Sequence, residues 1–156
     1  MSDSLITRYA RLFGVEPAIA EELSTIEEEL GVSLPSDFRS ISTFYSGGIL
    51  GGISHHAISC HGPATNIMAE TQRLRASAEL PHSCIVLAEP PGSLIVMNTN
   101  CSVHSPAVIW CDGLDASLLP DVPEMHKPRV WSRYSEFFRF LLDREERSHH
   151  HLRPLS

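Results

Sequence analysis

The chain has 156 residues, 42% hydrophobic, 20% charged and 7% aromatic, which is length for one domain whose core can bury roughly 68 to 70% of the unfolded surface without metal or disulfide support. Nineteen acidic against twelve basic residues give a formal charge of −7, whereas proteins that grip DNA or RNA carry a basic stripe, so direct nucleic-acid binding is not expected. The apolar runs Cys84 to Ala88 and Leu94 to Met97 fall far short of the roughly 20 residues of a membrane span, Met1 to Val15 does not read as a targeting segment, and a cytoplasmic protein is expected.

The first predicted helix runs from about Asp3 to Phe13, with Leu5, Tyr9 and Leu12 on one stripe and Gly14 to stop it. A second starts at Pro17 and places Ile19, Leu23, Ile26 and Leu30 inward before Gly31. Ser36 is set to cap a third, burying Phe38, Ile41, Phe44 and Tyr45 ahead of Gly47-Gly48. A strand is expected at Ile53 to Ser59 and a helix at Ala64 to Ser77, followed by strands at Cys84 to Ala88, Leu94 to Asn98 and Ala107 to Asp112. Pro90-Pro91-Gly92 joins two of these as antiparallel neighbours, and Val130-Trp131 adds a brief strand. The last helix, Ser132 to about Glu146, offers Tyr134, Phe137, Phe138, Leu141 and Leu142 to a sheet. The expected fold is α+β: one domain over residues 1–147, an antiparallel central sheet flanked by N-terminal helices and a C-terminal helix, then a flexible polar tail at 148–156 containing His149, His150 and His151.

Several of these residues together resemble a known family. Ile26-Glu27, Leu30-Gly31, Leu34-Pro35, Asp37-Phe38 and Ser46-Gly47-Gly48 are similar to the opening signature of the SUKH superfamily, or Smi/Knr-type domain. Leu80-Pro81 with Ile85-Val86-Leu87-Ala88 and Leu94-Ile95-Val96-Met97 resembles its paired central strands, and Tyr134-x-x-Phe137-Phe138-x-x-Leu141 its closing helix. Pro90-Pro91-Gly92-Ser93 departs from the Gly-plus-acid turn usual in that family. The resemblance spans roughly residues 17 to 142. It implies a protein that binds proteins: an immunity protein occluding the active site of a cognate polymorphic toxin, often a nuclease or deaminase, with no catalysis and no cofactor of its own.

Charge placement fits that implication. Residues 1–37 carry −6, residues 38–126 carry −4 and residues 127–156 carry +3. On the second helix Glu21 and Glu28 fall opposite the buried stripe and Glu22 and Glu29 along its flank, with no Lys or Arg between Arg11 and Arg39. Glu27, Glu28 and Glu29 also crowd the last turn, against the macrodipole. An acidic helix can enter a basic, phosphate-gripping cleft as a substitute polyanion. Asp112, Asp115 and Asp121 form a second acidic group after the strands, and the partner-binding residues expected are Glu21, Glu22, Glu28, Glu29, Asp112 and Asp115. The competing reading of both groups is a solvated surface and ordinary turn chemistry.

Two alternatives stand beside the toxin reading: a regulatory protein-interaction scaffold, and a small metal-dependent hydrolase using His55, Cys60 and His61. Strand alternation would send His55 and His56 to opposite faces, which works against a shared metal. Gly47 to Gly52 lacks the Lys-Ser or Lys-Thr of a phosphate loop. Cys60, Cys84, Cys101 and Cys111 match no disulfide framework and read as packing residues. Trp110 and Trp131 read as core or interface anchors.

Overall fold

A computed structural model describes residues 4–100 and 105–152. In chain order it holds α1 (Leu5–Phe13), α2 (Ala20–Leu30), α3 (Ser36–Ile41), β1 (Gly48–Leu50), β2 (Ile53–His55), α4 (Ile67–Ser77), β3 (Cys84–Ala88), β4 (Ser93–Asn98), β5 (Val108–Asp112), two short 3-10 turns (Gly113–Leu118 and Glu124–His126), β6 (Arg129–Trp131) and α5 (Tyr134–Leu152). The six strands form one sheet in the order of the chain, each antiparallel to the next. Helices at both ends and a central antiparallel sheet make the α+β domain that the periodicities predict.

Both faces of the sheet are covered, which is why β3 and β4 read as continuous apolar runs with almost no polar alternation. Ile85, Leu87, Ile95 and Met97 face α3 and α5, where Phe38, Phe137 and Phe138 are at most 1% exposed. Cys84, Val86, Val96, Ile109 and Cys111 face the other way, with Leu74 of α4 packed among them. Burial pushes the thiols of Cys84 and Cys111 up to about 11, as suits packing residues. Cys60 is half-buried, and Cys101 lies outside the described residues.

Several local expectations are corrected. Helix α2 starts at Ala20, and Ile19 is 60% exposed. The chain before it is held by backbone bonds from Glu16 N–H to the Phe44 carbonyl and from Ala18 N–H to the Ser42 carbonyl, so Pro17 lies in an extended link. Ser36 is inside α3, whose boundary residue Pro35 offers no side-chain cap, and Phe44 and Tyr45 bury from the turn after it. The stretch Gly47 to Gly52, expected to follow the third helix without a strand of its own, enters a hairpin: β1 pairs with β2, and Gly51 and Gly52 take φ of 64° and 76°, the paired positive values of a two-residue primed turn. Strand β2 ends at His55 because the chain then bonds elsewhere, His56 N–H to the Leu87 carbonyl and Ala57 N–H to the Thr65 carbonyl. Helix α5 continues past Glu146 to Leu152, so part of the stretch expected as tail is helical, and 153–156 lie outside the described residues.

Candidate protein-binding surfaces

Leu23, Ile26 and Leu30 are all buried and seat α2 on the core, while α2 also packs against α4. That leaves the acidic side as a rigid outer surface: Glu21, Glu28 and Glu29 are exposed. Glu22 is half-buried and accepts the Ser59 hydroxyl at 3.0 Å, tying the helix to the loop after β2. In that loop the Cys60 thiol is pushed up by burial and by the negative charge of Glu22 and Glu29. Glu27 has a different job. It accepts the Leu34 backbone N–H at 2.8 Å and pairs with Arg39, which holds its carboxyl below the usual range. Of three glutamates that oppose the macrodipole, one is thus spent on joining α2 to α3.

The second acidic group sits elsewhere, on the 3-10 turn that packs against β4 and β5. Asp112 is exposed and caps that turn, accepting the Leu114 N–H at 2.8 Å. Asp115 is only 8% exposed and lies 3.1 Å from Nδ1 of His126, linking the two 3-10 turns. Both carboxylates therefore have structural work, and Asp115 is turned inward. Beside them Leu114 and Met125 are 93% and 82% exposed; their apolar character is plain in the sequence, but no periodicity marks them as outward-facing.

His55, Cys60 and His61 do not gather into a metal or catalytic set. The His55 ring is enclosed against Tyr45 and Phe137, at centroid distances of 6.3 and 6.1 Å, and burial lowers its pKa to about 4. Cys60 rests on Met68, with Sγ 3.9 Å from Sδ, and His61 is exposed. The cluster that does form among the described residues is His56, Glu70 and Glu89, whose ligand atoms lie within 4.8 Å of one another. Arg73 reaches both carboxylates, at 3.2 Å and 2.5 Å, so a guanidinium stands where a cation would go. His56 completes the network through Thr65 at 2.7 Å and Glu89 at 2.9 Å. A groove of about 510 Å³ between α1 and α3 is lined by Leu5, Ile6, Ile41 and Phe44 together with serines, a threonine and Asp37. Asp37 accepts the backbone N–H groups of Phe38 and Ser135, leaving no nucleophile and base paired there.

A further surface joins β5, β6 and α5. Arg129 lies over Trp110, Trp131 and Phe140, and Arg144 also lies over Phe140. The three rings are half-buried, with Trp110, Trp131 and Phe140 each packed on the main core. Of the two readings of the tryptophans, core or interface anchor, their packing on the core matches the first, and the pairing of β5 with β6 is what sequence reasoning lacked to bring them together. No helix among the described residues is long and apolar enough to cross a membrane.

Comparison with known families finds that the model of the SUKH_5 family, described as SMI1-KNR4 cell-wall, matches residues 3–124. The matched span takes in α1 to β5 and the first 3-10 turn, stops at the start of the second, and leaves β6 and α5 outside. No curated protein matches the chain.

Proposed function

The chain belongs to the SMI1-KNR4 family of the SUKH superfamily, and from that premise we propose that it is a cytoplasmic immunity protein that neutralises a toxin by occupying a basic active-site cleft. Family membership supports a toxin-immunity or Smi1/Knr4-like role in general terms. The observation that carries the finer reading is the outer side of α2, where Glu21, Glu28 and Glu29 are exposed and pair with no basic side chain among the described residues. Lone carboxylates on a helix that is anchored by three buried residues make a fixed field. Such a field draws a basic cleft at long range, and rates up to about 10⁸ to 10⁹ M⁻¹s⁻¹ are reached by steering of this kind at low salt. Once docked, the helix excludes substrate by occupying the phosphate positions, and no bond is made or broken.

The scaffold alternative uses the same surface toward a host protein. The hydrolase alternative loses its support, because His55 is enclosed in the core and Cys60 packs on Met68. Co-expression with the product of the adjacent upstream gene, scored for survival and for co-purification, tests the proposal. The expected result is rescue with a stable complex, and loss of both when Glu21→Lys and Glu28→Lys are combined. The association rate of the double variant should fall about tenfold at low salt and converge on the parent at high salt. Rescue without a complex would overturn occlusion, and an unchanged complex in the double variant would remove α2 from the interface.

A further inference from the structure

Both tryptophans of the sequence share one guanidinium. Trp110 stands directly opposite Arg129 in the β5–β6 register, and Trp131 is two residues along from Arg129 on the same face of β6. Arg129 Cζ lies 5.4 Å from each indole centroid and 4.7 Å from the Phe140 ring, with Arg144 at 5.5 Å from the same ring. Neither arginine pairs with a carboxylate among the described residues. The ring contacts restrain both guanidiniums, and neither donates a hydrogen bond among the described residues, so part of the ordering cost of a bidentate acceptor is already met.

We infer that this edge takes an acidic, extended segment of a partner protein, laid beside β6 so that its carboxylates meet Arg129 and Arg144. Three features argue for that occupant. Among the described residues strand β6 ends the sheet and pairs only with β5, so its outer side offers an edge to a further strand. Its alternation puts Arg129 and Trp131 on one face and Val130, 54% exposed, on the other, which suits a partner strand alternating acid with apolar side chains. Charge complementarity selects the sign: residues 127–156 carry +3 within a chain of −7, so an acidic segment is repelled by the rest of the surface and admitted here. Trp and Arg are also the residues on which interface energy concentrates.

The inference stands apart from the acidic face of α2 and is tested apart from it. The full chain is titrated with acetyl-Glu-Val-Glu-Val-Glu-amide and with its Gln counterpart, read by tryptophan emission and by the amide resonances of residues 129–131. The expected result is a saturable emission change with the Glu peptide and at least tenfold weaker binding of the Gln peptide. Arg129→Gln should weaken the Glu peptide about tenfold, Arg129→Lys less, and Arg144→Gln, which leaves the sheet untouched, severalfold. Equal binding of the two peptides, or indifference to both Arg→Gln variants, would overturn it. So would the same emission change on concentrating the chain alone, which would assign the edge to a second copy, or on adding a short DNA duplex. Glu21→Lys with Glu28→Lys should leave the titration unchanged, so failure here and failure of the immunity reading are separately visible.

Discussion

The Glu27 carboxylate accepts the backbone N–H of Leu34 at 2.8 Å and pairs with Arg39, closing the turn that carries the chain from α2 into α3. The pairing with Arg39 lowers its pKa, burial opposes that, and the Leu34 N–H adds to it. Glu27→Gln keeps the shape but loses the charge-assisted part of both bonds, so urea unfolding at neutral pH should show a loss of about 1 to 2 kcal/mol. Glu28→Gln, on the solvent side, should stay within about 0.5 kcal/mol. Because the folded pKa is depressed, the Glu27 contribution is full above the ordinary carboxylate pKa and is lost as pH falls through the folded value. Parent and Glu27→Gln should therefore converge in acid.

His55 imposes a second pH dependence, in a higher window. Burial lowers its pKa from 6.5 to about 4, aided by neighbouring His56 and opposed by a hydrogen bond to the Leu50 backbone. The unfolded chain takes up a proton near pH 6.5 and the folded chain does not. Stability is thus full above pH 6.5, falls as pH drops toward 4, by on the order of 3 kcal/mol in all, and is flat in this respect below that. The measurement is an imidazole titration by NMR, in which the His55 ring should hold its neutral shifts down to about pH 5. A His55→Leu variant should lose this slope between pH 6.5 and 4.5 in denaturant unfolding.

Gly47 and Gly48 look alike in the sequence and differ in the fold. Both hold φ above 100°. A Cβ on Gly47 would lie 2.7 Å from the His56 carbonyl oxygen and 2.9 Å from the Ala57 Cα, whereas one on Gly48 meets nothing within 4 Å. Gly48→Ala should cost about 1 to 2 kcal/mol from backbone strain alone. Gly47→Ala must also push two backbone segments apart and should cost clearly more, as read by the shift in urea midpoint at unchanged slope.

What could be read from the sequence was what repeats locally. The stripe Leu23, Ile26 and Leu30, the apolar runs of β3 to β5 and the face Phe137, Phe138, Leu141 and Leu142 each declare themselves within a few residues, and apart from half-buried Trp110 these apolar residues are buried as expected. Features that depend on distant pairing were hidden. Ile19 continues the period of α2 yet faces water, because bonds from residues 16 and 18 to residues 44 and 42 hold the preceding chain straight. The same Gly-rich string can end a helix or turn a hairpin, and only pairing with Ile53 to His55 decides for the hairpin. The acidic residues could be counted but not sorted: Glu27 and Asp115 find partners 7 and 11 residues away, Glu22 finds one in the loop after β2, and Glu21, Glu28 and Glu29 are left outward.

That sorting gives the last prediction. Asp115, 8% exposed and 3.1 Å from His126, cannot reach a docked protein without breaking the link between the two 3-10 turns. Asp115→Asn should therefore leave the affinity of an α2-directed partner unchanged while lowering stability by about 0.5 to 1.5 kcal/mol. His126→Ala should lower it similarly, and the double variant should cost less than the sum, because both changes remove one shared interaction. A partner complex weakened by Asp115→Asn at unchanged stability would instead place the 3-10 turn inside the interface and require the two acidic groups to act together.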